Sequence, residues 1–239
     1  MKKLPLIVAL CFSLSYLSTL HAAIHVYTEE SDYLNALQNM GYASVSEGFE
    51  DDTAWGGVRS VFPNQSTAPT VTSQWVTWQA NNANSEVTTG AGAALNGNWG
   101  FYTLPHGDFA NGIGDGFFGQ SSLTLYGVGG WVDTNTPFAS VEIYLDGDTQ
   151  NPVDFGDRMV NGNPVDASLV GTMAVFFGVI DTDGFSSFLF QEVEGTPDDM
   201  KFIFADDFTF GFSPSAIPEP SAMLLFGTLG AVFLLRRRK

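Results

Sequence analysis

Phe202, Phe204, Phe208 and Phe210 share one phase of a period-2 pattern, and Asp206 falls on the same phase. A regular strand would aim that carboxylate into an aromatic face. A bare buried carboxylate costs several kcal/mol, so it has to be paired, hydrogen-bonded or bound to a metal. Bases are scarce in this chain, which leaves two readings. Asp206 accepts backbone N–H groups or sits at a bulge, or it ligates a structural cation, for which Ca²⁺ is the natural choice. Glu50, in Gly48-Phe49-Glu50-Asp51-Asp52, is the partner expected for it, because terminal strands of a sandwich often lie side by side. Asp146-Gly147-Asp148, followed by Asp154 and Asp157, is a second acidic cluster. Its Asp-x-Asp spacing matches half of an EF-hand loop, but the glycine at the sixth position and the closing glutamate are missing. It reads first as a solvated loop and second as a calcium site.

Tryptophan offers a different chemistry. Sugars stack on exposed aromatic faces, and the competing role of the ring is core packing. Trp75 and Trp78 have an odd separation, so on one regular strand only one of them faces the core. Trp78 and Trp99 are the candidate glycan contacts, the latter in the Gly-rich stretch Asn96-Gly97-Asn98-Trp99-Gly100. Catalytic signals are sparse. Past residue 23 the only histidines are His25 and His106, and the chain has neither Gly-x-Ser-x-Gly nor His-Glu-x-x-His. His106, in Pro105-His106-Gly107-Asp108, reads as a loop residue. No catalytic residue is assigned. A glycosidase needs only two carboxylates, so that class stays open as the alternative.

The elements that must position these groups are mostly strands. Thr28 to Gly41 reads as a helix with Thr28 as its cap, acids in the first turn, Tyr33, Leu37 and Met40 on one face, and Gly41 as its stop. Val71 to Trp78 alternates as one strand. Leu123 to Val132, Ala139 to Leu145, Gly171 to Ile180, Phe185 to Val193 and Lys201 to Phe212 are further strands, with Asp181-Thr182-Asp183-Gly184 as a hairpin turn. Many short strands, one helix and 26 glycines predict an all-β protein, an antiparallel β-sandwich.

Both ends look like processing signals. Residues 1–22 carry Lys2 and Lys3, then an apolar stretch and Ala22 at a cleavage position, the pattern of a signal peptide. Between residues 24 and 216 only Arg59, Arg158 and Lys201 stand against 25 acids, a net charge of −22. Such a region cannot neutralise phosphates, which excludes nucleic acid as a partner. It favours solubility, divalent cations and neutral or cationic partners. The single cysteine, Cys11, lies within the signal, so residues 23–212 form an exported domain without disulfides or thiol chemistry. Residues 213–217 read as a short linker. After it come Pro218-Glu219-Pro220-Ser221, an uncharged run from Ser221 to Leu235, and Arg236-Arg237-Arg238-Lys239. As a helix, those 15 residues span about 22 Å, short for a bilayer core of about 30 Å. The basic cluster belongs on the cytoplasmic side.

Residues 218–239 resemble the PEP-CTERM sorting signal of Gram-negative bacteria, with all three parts in order. The resemblance implies export through the Sec machinery, a transient membrane anchor through 221–235, and processing by an exosortase near the Pro-Glu-Pro. It further implies a place at the outer surface or outside the cell, with exopolysaccharide or biofilm. The β domain is similar to those common among PEP-CTERM proteins, through Phe176-Phe177-Gly178-Val179 and the closing Asp206-Asp207-Phe208-Thr209-Phe210-Gly211. Those domains are taken as jelly rolls akin to lectin-like modules. The resulting expectation is a non-catalytic structural, adhesive or polysaccharide-binding surface protein, with a structural Ca²⁺ as its one candidate cofactor.

Overall fold

The structure, a computed structural model, describes residues 24–61, 64–82, 85–104, 115–134, 141–154, 159–160, 163–164, 174–192 and 203–217. The signal segment, Pro218 to Lys239, His106 and Asp157 lie outside the described residues. Among the described residues no helix is long and apolar enough to cross a membrane.

The elements run β1 (Ile24–Tyr27), α1 (Glu30–Asn39), β2 (Ala43–Glu47), α2 (Asp52–Trp55), β3 (Arg59–Ser60), β4 (Thr70–Ser73), β5 (Val76–Ala80), β6 (Val87–Gly90), β7 (Gly100–Thr103), β8 (Gly116–Thr134), β9 (Val141–Leu145), β10 (Met159–Val160), β11 (Asn163–Pro164), β12 (Val175–Glu192) and β13 (Ile203–Phe212). Apart from the small β10–β11 pair, all strands join one hydrogen-bonded network. Among the described residues only β3 and β6 pair in parallel. The long strands β8 and β12 change neighbours halfway. The first half of β8 lies against β5, its second half against β13, and β12 follows it throughout. The network thereby folds over itself into the sandwich that the strand pattern predicts.

Trp78 of β5 sits between the layers. Its ring meets Phe101 of β7, Phe117 of β8, Phe188 of β12 and Phe208 and Phe210 of β13, at centroid distances of 5.2 to 6.0 Å. Trp78 is fully buried, so it has no face for a glycan and is withdrawn as a contact residue.

Helix α1 covers the outer side of the sheet. It starts later than expected. Glu29 is the N-cap and makes no side-chain cap bond, so Thr28 does not serve. Acids at Glu30 and Asp32 suit the positive end of the helix dipole. The stop is as predicted: Gly41 has φ +79°, its N–H bonds Gln38 O, and Tyr42 N–H bonds Leu37 O, a Schellman ending. Tyr33 and Leu37 pack on Phe176 and Ile180. The helix approaches so closely that glycine is required below it. A Cβ at Gly211 would stand 2.5 Å from Leu37 Cδ2.

Three strand expectations change. Val71 to Trp78 is not one strand but the hairpin β4–β5, turning at Gln74 and Trp75 with φ of +49° and +63°. That is a type I′ turn without its usual Asn or Gly. Trp75 compensates by packing its ring on Phe212 at 5.9 Å. Asp181 to Gly184 does not reverse the chain. Four residues of β12 face one residue of β8 there, with Gly184 at φ +80°, so the sequence makes a bulge inside a continuous strand. The third change is in β13. Pairing with β8 slips between Asp206 and Thr209, and Asp207 has φ +48°. This bulge inverts the phase of the strand. Ile203 and Ala205 point into the core before it, and Phe208, Phe210 and Phe212 after it. Asp206 therefore does not face the phenylalanine core. It lies on the outer side with the half-buried Phe204.

Candidate functional site

The chain between β6 and β7 builds one end of the domain. β6 and β7 pair antiparallel, ending at Gly90 opposite Gly100. A 3₁₀ turn, Ala91–Ala93, then leads into the loop that returns through Trp99. Gly100 has no room for a side chain, because the backbone at Ala93 and Ala94 crosses directly over it.

Two carboxylates hold this loop from opposite sides. Asp206 Oδ2 accepts Leu95 N–H at 2.6 Å and Asn96 N–H at 3.0 Å. Glu50 Oε1 accepts Asn98 N–H at 2.6 Å and Trp99 N–H at 2.8 Å. Asn96 Nδ2 also donates to Asp207 Oδ2. Between the two grips Gly97 has φ +72°, and any Cβ there would strike the Glu50 carboxylate. Glu50 and Asp206, expected as partners at a cation, thus act on the same loop from opposite sides, through its backbone N–H groups. Asp206 also stands at the bulge in β13.

The loop exists to place Trp99. Arg59 Cζ lies 4.7 Å from the centroid of its ring. Arg59 is itself fixed by Asp52, at 2.9 Å, and by the carbonyl oxygen of Phe49, at 2.5 Å. Trp99 then forms one wall of a groove of about 770 Å³. Tyr102 and Phe204, with ring centroids 5.8 Å apart, contribute two further aromatic surfaces. Ala91 to Ala93 and Val61 complete an apolar lining, and Ser60, Asn64 and Gln65 supply hydrogen-bonding groups. No ionisable carboxylate, amine, guanidinium or imidazole lines the groove among the described residues. Of these residues only Trp99 is found by sequence reasoning. Tyr102 and Phe204 are missed because their exposure depends on the β7–β13 pairing and on the β13 bulge.

The two anchors differ electrostatically. Burial raises Glu50, but the N–H groups of Asn98 and Trp99, with Arg59 nearby, outweigh it and hold the group below the usual carboxylate range. Burial dominates at Asp206 and pushes it up to about 6, against the opposing bonds from the Asn96, Leu95 and Asp207 N–H groups. A folded-state value raised from 3.8 means that the native state holds a proton the unfolded chain has already lost. The contribution of Asp206 to stability is thus greatest below about pH 4 and declines as pH rises towards 6. Asp206→Asn should flatten that decline. Melting curves from pH 3.5 to 7 check it, and parallel curves for both proteins would contradict it.

The second acidic cluster ties loops. Asp146, at φ +50°, and Gly147 form a tight turn closed by Asp148 N–H to Leu145 O at 3.1 Å. Asp146 Oδ1 accepts Ser186 N–H at 2.7 Å and Ser187 N–H at 3.2 Å. Asp148 accepts from Asn151 Nδ2 and Gln150 N–H, which lower its pKa. Among the described residues no three His, Cys, Asp or Glu side chains are arranged to hold a metal ion. A recess of about 150 Å³ adjoins the groove and is lined by Asp133 and Asp206. Both Asp206 oxygens there are engaged by backbone N–H groups.

The described domain is a β-sandwich with an aromatic groove at one end. Comparisons with known proteins add what the fold cannot. Residues 216–239 match the PEP-CTERM protein-sorting motif, so the chain carries a sorting signal of exported proteins. No curated protein matches the chain. Among solved structures it is similar to a cleaved adhesin domain of Lys-gingipain from Porphyromonas gingivalis, at 14% identity over 71% of this chain and 98% of that one, TM-score 0.38. A xylan-binding domain from Paenibacillus barcinonensis aligns at 12% identity over 70% and 92%, TM-score 0.39. The cellulose-induced protein Cip1 aligns at 12% over 69% and 95%, TM-score 0.38.

Proposed function

We propose that this chain is an exported, non-catalytic surface protein that binds an uncharged stretch of polysaccharide in the groove beside Trp99. One observation carries the reading: an apolar groove with three aromatic walls and no acidic or basic side chain among its described lining residues, whose Trp99 is held in place before any ligand arrives. Pre-ordered aromatic surfaces bind without a large ordering cost. The net charge of −22 between residues 24 and 216 repels acidic polymers and leaves neutral or cationic glycans. The sorting motif supports export and exosortase processing as the setting, and the reading places the processed protein at the outer surface or in the extracellular matrix of a Gram-negative cell. Paired-carboxylate hydrolysis is the weaker alternative, because the described lining of the groove holds no carboxylate and Asp206 in the adjoining recess is engaged structurally.

The test is calorimetric titration of the exported region with the polysaccharide of the producing cell, in calcium and then in EDTA. Saturable heat without release of reducing ends is expected. Heat that is lost in EDTA would give a cation a part in binding. New reducing ends would move the protein to the hydrolase class, and no heat in either condition would remove the glycan reading.

A further inference from the structure

Phe49 has φ +58°, a left-handed backbone that is unfavourable for a bulky residue. Such a conformation persists only where the surroundings enforce it. Two restraints do so here. The Phe49 ring is fully buried and stacks on Phe101, with centroids 5.2 Å apart. Its N–H donates to Glu47 Oε1 at 2.6 Å, so the last side chain of β2 curls back over the turn that follows it. Glu47 is only 3% exposed and lies opposite Phe208, facing the core. Its Oε2 has no hydrogen-bond partner among the described residues, and neither has the indole N–H of Trp55. Burial pushes its carboxyl above the usual carboxylate range, against the opposing pull of Ser73, the Phe49 N–H and Trp55. A buried carboxyl with an unmet oxygen costs stability, so packing alone gives no reason for a glutamate here.

What the turn delivers lies at the groove. Phe49 O accepts Arg59 Nη1, and Arg59 Cζ stands over the Trp99 ring. Glu50, the next residue, accepts the N–H groups of Asn98 and Trp99. We propose that Glu47 is a positioning residue for the groove: from inside the core it holds the turn at Phe49, which presents a carbonyl to Arg59 and the Glu50 carboxylate to the loop that carries Trp99. Asp206 grips the same loop at Leu95 and Asn96 from another strand and does not depend on this turn. The inference rests on the reading of the groove as the binding site.

The experiment measures backbone amide hydrogen exchange on the full chain, residue by residue, for the natural protein, Glu47→Met and Glu47→Gln. Methionine keeps the length of the side chain and has no oxygen. Glutamine keeps an acceptor oxygen and matches the protonated acid. One net hydrogen bond corresponds to roughly a tenfold change in a local equilibrium, so Glu47→Met should lower the protection of the Asn98 and Trp99 amides roughly tenfold. The Leu95 and Asn96 amides should stay within about threefold of their natural protection, because local openings are separable. Glu47→Gln should keep the natural pattern. Affinity for the polysaccharide of the producing cell should follow the Asn98 and Trp99 amides, weakening roughly tenfold in Glu47→Met and not in Glu47→Gln. Unchanged protection of Asn98 and Trp99 in Glu47→Met would overturn the proposal. An equal loss at all four loop amides and at a core amide such as Val128 would overturn it too, since that pattern marks general destabilisation. So would a Glu47→Gln variant that behaves like Glu47→Met. A natural chain that binds no polysaccharide would instead overturn the groove reading, and the exchange pattern would still decide whether Glu47 positions Trp99.

Discussion

Trp78→Ala should cost about 3–5 kcal/mol of stability, the range for deleting a large buried aromatic side chain. A typical domain holds only about 5–15 kcal/mol in total. The variant should therefore unfold at markedly lower urea than the natural protein, and express poorly at 37 °C. The size follows from position. The ring bridges β5 to strands β7, β8, β12 and β13, so its loss opens a cavity that no single neighbour can fill. Its indole N–H has no acceptor among the described residues. Trp78→Phe should accordingly be much milder, since it keeps most of the contact area and forfeits no hydrogen bond. Equilibrium urea curves followed by fluorescence distinguish the two. A Trp78→Ala variant within about 1 kcal/mol of the natural protein would mean that the two layers do not share this core.

Trp99→Ala is the second large effect, and it should appear in binding, not in folding. Hot-spot aromatic residues carry about 2 kcal/mol or more, so affinity for the glycan should fall at least about thirtyfold. The melting temperature should stay within about 2 °C, because the ring is half-exposed at the domain end. Trp75→Ala is the control. Trp75 packs on Phe212 at the other end of β13, so this change should leave affinity unaltered. Equal losses from the two variants would detach binding from the groove.

The parts legible in the sequence were those that rest on local rules. The stop of α1 at Gly41, the strand at β13 and the bases and prolines of the tail each follow from a few neighbouring residues. Trp99 was also legible, because a tryptophan among Gly and Asn has little core to join. The hairpin at Gln74 and Trp75 was not, since neither residue is a turn former. Its positive φ angles are held by a distant contact with Phe212. The phase of β13 was misread for the same reason. A bulge at Asp206 and Asp207 leaves the composition of the strand unchanged and moves every later side chain to the other face. The groove was hidden for the same reason, because Phe204 reaches it only when the bulge is counted.

β13 connects two ends with different tasks. Phe204 borders the groove, and Phe212 leads into the segment that carries the sorting tail. The eight residue steps from one to the other cover about 26 Å. Before the tail is cut, a membrane holding the tail and a polymer in the proposed groove would pull along the axis of this one strand. Its ladder bonds to β8 on one side, and to β2 and β7 on the other, lie across that axis. Tension would load them together in shear instead of opening them one at a time. The strand would thus act as a mechanical coupler between the groove end and the tail end of the domain.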